Sequence, residues 1–584
     1  MKKVTALLLC LLMIVSVFAA CSQKDKEKND EDYKGTIIPV YINSEVVNFD
    51  PATAYNDEAA AQIISLLYEG LFRLDEDGKP VKGMCSSYTD RSKPEDNYYM
   101  MEFRVKGTWS DGRSVQAADF VYAFKRILEP EFRGEGANLL FQIKNARKVM
   151  AGDLSIDDLG VVAVGTYILR IEFEGKPDLD LFFRNLASPL LVPLREDAVT
   201  KVSDWSSNTS VLVTNGPFEV RTIDYGKTLV LERNIYYKRS VKKDALDKYV
   251  VPYRLVVNFN MSAEENLDYF NEGYLTFNSN LPLAKRSEYQ DKVKVVDTMT
   301  EMTYVFNTTN PLFSKAEVRR ALSIALDRET IAGILVYAKP AAGLITDKVV
   351  DSGKIKKSFR ENGGELISKN ANVDEAKSLL SAAGVKGGTI NITIRDNEVD
   401  RAVAEYTVGV WEKLGFDVNI RALKVNKYKE NDYDLLKDNF TNAYDTGDFE
   451  VILTDTTMIS TDAFGNLAQY ALPFAGGKMD LASGDFDLKP HISGYSNEAY
   501  DELIEAAFAA EDQNTRSQAL HDAEKLLIED APVVPLVVYQ NAYLVNNDLK
   551  KISTDYYGFT DFRGAVLGNE KFYLDTKPID ESEF

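Results

Sequence analysis

The sequence predicts an α/β protein with mixed β-sheets, spread over at least two lobes. Three observations carry this. The chain has 584 residues, too many for one hydrophobic core, so two or three domains are expected. Its 45% hydrophobic and 11% aromatic content is that of a folded globular chain. The later half alternates strand and helix patterns over short links, which implies parallel pairing with right-handed crossovers.

Taken in order, residues 36–42 form the first apolar run and read as a strand. Residues 58–67 place Ile63, Ile64, Leu67 and Tyr68 on one helical face. Asp75-Glu76-Asp77-Gly78 superficially suggests a calcium loop, but the remaining ligands and the distal Glu are missing, so it reads as a hairpin turn. Residues 98–105 read as a strand, followed by the turn Trp109-Ser110-Asp111-Gly112. Residues 119–128 form an amphipathic helix ended by Pro130. Residues 166–173 alternate, with Tyr167, Leu169, Ile171 and Phe173 on one side, as in a half-buried strand. Later come helices at 315–326 and 374–383, the second closed by Gly384. A strand (389–394), helix (402–414) and strand (416–420) follow, then helices at 497–508 and 516–528 and an apolar strand at 533–539. The polar stretch 424–448 reads as irregular or inserted. No internal repeat is visible.

Chemistry-bearing motifs are nearly absent. His491 and His521 stand thirty residues apart without a second His nearby, and both read as exposed or satisfied surface residues. HExxH, CxxC, GxSxG and Walker A patterns are missing, which argues against an imidazole or thiolate metal site and against familiar nucleophilic or phosphate-handling chemistry. No cofactor is implied. Asp plus Glu is 90 against 68 Lys plus Arg, a net charge of −22. Such a surface repels nucleic acid. A large α/β chain without catalytic motifs points to binding rather than turnover.

The N-terminus specifies a compartment. Met-Lys-Lys precedes an apolar run from Val4 to Ala20, then Cys21 and a polar tract to Lys34 that reads as a solvated tether. Phe18-Ala19-Ala20-Cys21 resembles the lipobox of bacterial lipoproteins, with Phe18 where Leu is usual. The resemblance implies cleavage before Cys21 and acylation of its thiol. Two acyl chains give stable anchoring at about 0.8 kcal/mol per buried CH₂. The alternative is an uncleaved membrane helix, since the run is just long enough to span a bilayer; the small residues before Cys21 favour cleavage. Cys10 leaves with the signal, so Cys85 alone remains and reads as a small buried filler. No internal disulfide is then possible.

A series of blocks, in order from about Ile37 to Val545, resembles the family 5 extracellular solute-binding proteins, the peptide-binding subunits of ABC importers. They include Asn48-Phe49-Asp50-Pro51, Tyr68-Glu69-Gly70-Leu71, Phe103-Arg104-Val105 through Trp109-Ser110-Asp111-Gly112, and Ala118-Asp119-Phe120-Val121-Tyr122. Gln116 stands where the signature prefers Thr or Ser, which alters the usual helix cap. Further blocks are Thr214-Asn215-Gly216-Pro217-Phe218, Val318-Arg319-Arg320-Ala321-Leu322, Ala325-Leu326-Asp327-Arg328, Trp411-Glu412-Lys413-Leu414-Gly415 and Tyr500-Asp501-Glu502-Leu503-Ile504. Trp109 and Phe103 are expected in the core. Arg319, Arg320 and Arg328 are expected as salt-bridged structural residues.

The resemblance implies a two-lobed, type II periplasmic-binding-protein-like fold with an extra domain in the first lobe. Residues 1–20 are then signal, 21–35 a lipidated tether, 36–80, 200–300 and 541–584 domain I, 81–199 an inserted domain II, and 301–540 a C-terminal lobe. It implies a hinge, a monomer, a peptide or other small solute engulfed between lobes, and delivery to ABC permease subunits from a lipid-anchored position on the extracytoplasmic face. Peptide-binding members hold the ligand backbone as an added strand. The flanking segments match Ser44-Glu45-Val46 on one side and residues 451–462 on the other, giving Asp455, Thr456, Thr457, Met458, Ile459 and Asp462 as candidates together with Tyr539. Peptide binders usually carry Gly-Trp, two residues, then an Asp that takes the ligand's α-ammonium. Here Thr456 stands near the Trp place and Ile459 near the Asp place, and Asp455 or Asp462 is the candidate substitute. A receptor for a glycan or modified peptide, a peptide-pheromone sensor and, more distantly, a lipid-anchored enzyme are the competing readings.

Overall fold

The computed structural model describes residues 36–42, 46, 48–54, 58–130, 132, 136–237, 250–259, 261–352, 357–425, 439–479 and 486–568. The N-terminal segment with Cys21, and Ser44 and Glu45 of the candidate site, lie outside them.

Two sheets organise the chain. In chain order their strands are β1 (Ile37–Tyr41), β2 (Cys85–Asp90), β3 (Met100–Val105), β4 (Val161–Val164), β5 (Ile168–Glu172), β6 (Phe218–Asp224), β7 (Thr228–Arg233), β8 (Arg254–Asn258), β9 (Phe277–Asn278), β10 (Lys294–Phe306), β11 (Ala338–Pro340), β12 (Gly388–Arg395), β13 (Phe416–Leu423), β14 (Val451–Thr457) and β15 (Val533–Val545). The larger sheet runs β13-β12-β14-β10-β15-β9-β1-β8-β7-β6, with β11 also paired to β15; the smaller runs β2-β3-β5-β4. The expected parallel unit is present: Gly388–Arg395 pairs in register with Phe416–Leu423, and the helix Glu398–Glu412 makes the crossover.

The 13-residue strands β10 and β15 tie the large sheet together. Lys294–Asp297 pairs with Gln540–Tyr543, and Glu301–Val305 pairs with Val533–Val538, with a register shift between Asp297 and Glu301. Strand β15 therefore runs six residues beyond the apolar stretch that predicts it. Its later residues pair with Lys294–Asp297 of β10 and, at Leu544 and Val545, with β9, so their strand character comes from partners remote in sequence.

Helix Ala117–Leu128 shows how a missing cap is replaced. Gln116 is the N-cap residue, and the Asp119 carboxylate accepts both the Gln116 amide at 2.8 Å and the Trp109 indole N–H at 2.9 Å. Trp109 and Phe103 are fully buried, as expected. Asp50, in the Asp-Pro block, is buried against Arg126, with the closest atoms 2.6 Å apart. Cys85 is buried; desolvation pushes its thiol up to about 11, so it packs rather than reacts.

Some expectations need correction. Tyr167 is 41% exposed, and only Leu169, Ile171 and Phe173 of its alternating set are buried, because Tyr167 precedes the strand proper. Arg319 and Arg328 are structural but bind carbonyl groups: Arg319 holds those of Phe313 and Asp530, and Arg328 those of Ser323, Leu326 and Pro535. Among the described residues Arg320 alone of the three carries an ion pair, to Glu375 at 3.5 Å. His521 is part-buried, stacked on Phe359 and bonded to Asp351 at 2.9 Å. Within 424–448, Phe440–Thr446 is helical and 426–438 lies outside the described residues. The Asp75–Gly78 turn joins Phe72–Leu74 to Pro80–Lys82 as expected, with Asp75 accepting the Lys79 amide.

Among the described residues two large apolar cores result, beside a small cluster of Leu267, Leu281, Tyr289 and Leu544. One lies around Tyr304, Trp411 and Leu536, between β10, β12, β14, β15 and their covering helices. The other runs from Ile38 to Leu567 and includes Phe464, Phe474 and Leu520, so it continues across the meeting of the N-terminal and C-terminal portions.

Candidate functional site

Strand β14 carries most of the predicted site. It is held antiparallel to β10 over Val451–Thr457 and parallel to β12 at Ile392 and Thr393. Asp455 faces Arg395 at the end of β12 and Tyr539 on β15. Arg395 grips Asp455 with both terminal nitrogens, and at the same time gives Asp400 two bonds of 2.9 Å. The Tyr539 hydroxyl donates to Asp455 at 3.1 Å. Asp400 is fully buried in the first turn of helix Glu398–Glu412, where it also accepts the Arg395 amide at 3.1 Å. Desolvation raises the Asp400 pKa in spite of these bonds, while the two carboxylates hold Arg395 firmly charged. Burial and the Asp455 charge hold Tyr539 well above the usual tyrosine range. One guanidinium thus serves two carboxylates, and Asp455 is already committed.

Asp462 is committed as well. Its carboxylate takes two bonds from Arg516, at 2.9 and 2.8 Å, and caps the short helix Ala463–Leu467 at the Phe464 amide. It is 1% exposed. Between the two acids lies a neutral stretch. Thr456 and Thr457 bond Thr303 and Thr300 of β10 at 3.0 and 3.1 Å, and Met458 is buried with its amide on the Met299 carbonyl. The Ile459 amide donates to Asn466 at 2.8 Å.

The segment after β14 touches the N-terminal portion of the chain. The Ser188 hydroxyl donates to the Ile459 carbonyl at 2.6 Å, Ser460 bonds Asn185 at 2.6 Å, and the Asn138 amide reaches the Gly465 carbonyl at 2.7 Å. Gly465 permits this approach: a Cβ there would stand 2.5 Å from the Leu139 side chain. Arg147 pairs with Glu505 and lies over Phe474, 3.9 Å from the ring centre. Val46 is buried in the core.

The structure therefore brings Asp455 and Tyr539 together, sets Thr456, Thr457 and Met458 along β10, and places Asp462 apart with Arg516. Sequence reasoning missed Arg395, Asp400, Arg516 and Ser188. Arg395, Arg516 and Ser188 find partners 60, 54 and 271 residues away in sequence, whereas Asp400 stands five residues from Arg395. Only Asp400, opening a helix after Asn397, carried a local signal. No group of three His, Cys, Asp or Glu side chains suited to a metal occurs among the described residues, and no helix among them is long and apolar enough to cross a membrane.

Residues 80–478 match the family described as bacterial extracellular solute-binding proteins, family 5, middle region. The chain belongs to that family. Its members are solute-binding proteins rather than enzymes. This family 5 protein is 28% identical to the dipeptide-binding protein DppE of Bacillus subtilis (strain 168) over 90% of its own length and 91% of the relative's. It is 26% identical to the oligopeptide-binding protein OppA of the same strain, over 97% of this chain and all of that one. Listeria monocytogenes OppA, solved with bound peptide, superposes with a TM-score of 0.75 and 21% identity over 92% of this chain and 99% of that one. The fold is that of type II periplasmic binding proteins, with mixed sheets.

Proposed function

We propose that this family 5 protein is the lipid-anchored receptor of an ABC importer, capturing peptides between two lobes and delivering them to a permease. The observation that carries the reading is end-to-end similarity to relatives named for dipeptide and oligopeptide binding. The domain division read from the sequence is part of the proposal, with the hinge where β10 and β15 shift register between Asp297 and Glu301. There the Thr298 hydroxyl bonds the Tyr539 carbonyl at 2.8 Å. The ligand backbone pairs beside Thr456–Ile459, and closure brings Ser188 and Asn185 onto Ile459 and Ser460.

A closed state must be favoured by contacts that ligand makes in that state only. A thermal-shift screen of defined peptides identifies a binder, since ligand stabilises as RT ln(1 + [L]/Kd). Small-angle scattering with that binder is expected to show a smaller radius of gyration. Peptide binding without compaction overturns hinge closure, and a screen in which sugars but not peptides stabilise the protein overturns the ligand class.

Anchoring rests on Cys21. Cys21→Ser is expected to lose acyl labelling and to move the protein from the membrane to the soluble or uncleaved fraction. Unchanged labelling of the variant rules Cys21 out as the acylated residue.

A further inference from the structure

The short helix Ala146–Met150, in the N-terminal portion of the chain, carries a guanidinium that crosses to the C-terminal portion. Arg147 forks onto both carboxylate oxygens of Glu505, one of them at 2.7 Å, on the helix Glu498–Ala509. The same guanidinium lies over the Phe474 ring, 3.9 Å from its centre, and 5.7 Å from the centre of Phe508. Phe474 is itself well fixed. The Asp501 carboxylate accepts the Leu472 amide at 2.9 Å, which holds the turn Leu472–Phe474. The Phe474 ring meets Phe464 at 5.7 Å and, across the two portions, Phe141 at 5.8 Å. Phe141 and Phe474 are both buried. A second tie runs alongside: Gln513, which opens the helix Gln513–Asp530, donates its side-chain amide to Asp178, the N-cap of helix Leu179–Asn185.

These ties run between helices and leave the stretch Thr456–Ile459 untouched. Arg147 is 27% and Glu505 40% exposed at their side chains. Both charges keep part of their hydration, so the pair can part and re-form with little desolvation. A fully buried pair would instead be costly to break and would lock the portions together. The ring and the carboxylate act on one guanidinium in different ways: the ring quadrupole attracts its face, and the carboxylate takes its planar fork. Parting the two portions separates Arg147 and Phe141 from Phe474 and returns apolar ring surface to water. The contact is therefore strong enough to bias an equilibrium and hydrated enough to remain reversible.

We propose that Arg147, with Glu505 and Phe474, is an interlobe latch that sets how much of the closed state the protein populates, and so its affinity for every ligand alike. The latch rests on the two-lobe reading above and on no particular ligand class. A ligand gripped between lobes is held by the closed arrangement, so its apparent affinity scales with the population of that arrangement. The latch is made by protein groups alone, so breaking it weakens all ligands by one common factor. A residue that touches ligand changes the ranking of ligands instead.

The test uses the full mature chain carrying Arg147→Glu, and the charge exchange in which Arg147→Glu is combined with Glu505→Arg. The single variant sets two carboxylates against each other and is expected to weaken each binder found in the thermal-shift screen about ten-fold, through faster dissociation. The factor is expected to agree among binders to within about two-fold. The exchange restores an ion pair and is expected to recover about three-fold of the loss or more. If the screen finds no binder, the receptor reading fails and the latch is judged on the protein alone. Small-angle scattering of Arg147→Glu is then expected to show a larger radius of gyration than the parent, reversed in the charge exchange. Unchanged affinity, a factor that varies more widely among binders, or a loss that the exchange does not recover overturns the latch. So, where no binder is found, does a radius of gyration that stays unchanged or that the exchange does not restore.

Discussion

Arg395→Met is expected to destabilise the fold by about 3–5 kcal/mol, read as a lowered midpoint in equilibrium unfolding, because it strands two carboxylates that share one guanidinium. Asp400 is 1% exposed and Asp455 15% at their side chains, so water replaces little of what is lost. The methionine fills much of the arginine's stem volume, which isolates the charge effect from a cavity effect. Arg395→Lys retains one positive charge but loses the fork that serves both acids, and it is expected to recover only part of the loss. A loss below about 1 kcal/mol for the methionine variant would mean that the cluster is solvated and exerts no hold on β14.

Glu301→Gln is expected to stabilise the protein increasingly as pH rises. Glu301 lies on β10 between Thr456 and Val538, is 1% exposed, and leaves its Oε2 without a hydrogen-bond partner. Burial, reinforced by Glu524, lifts its pKa well above the ordinary value of 4.5; Arg360 and Arg328 oppose this, and Asp347 adds to it. The folded state therefore holds the proton more tightly than the unfolded chain does. The associated stability is fully present below pH 4.5 and declines as pH rises toward the folded pKa, by about 1.4 kcal/mol per pH unit. Glutamine cannot ionise, so the variant lacks this slope. Its advantage over the parent is expected to grow steadily as pH rises above 4.5. Parallel pH profiles for the two proteins would show Glu301 to be ionised in the native state. The acid sits in the same β10–β14 layer as Thr303 and Thr456, so its protonation also sets the charge beneath the candidate site.

Much of the fold was legible because it rests on local rules. The helix Glu58–Leu67, the parallel pair Gly388–Arg395 and Phe416–Leu423, and the hairpin at Asp75–Gly78 all follow from periodicity and turn chemistry within short windows. Tyr167 escaped because alternation continues past a strand's end without saying where burial stops. The arginine roles escaped because a guanidinium bonds carbonyls as readily as carboxylates, and sequence does not tell which one folding supplies.

The candidate site divides along the same line. The sequence by itself determined the acidic composition, the absence of catalytic motifs, the order of family blocks, and the neutral Thr456–Ile459 stretch. Each of these is a property of residue identity or of spacing along the chain. Only the tertiary structure decided that Asp455 and Asp462 are both held by arginines, that Ser188 reaches Ile459, and that Arg147 pairs with Glu505. Whether a carboxylate is available to a ligand depends on which cations the fold sets beside it. Arg395 and Arg516 reach their acids across 60 and 54 residues of intervening chain, a distance over which local pattern carries no information.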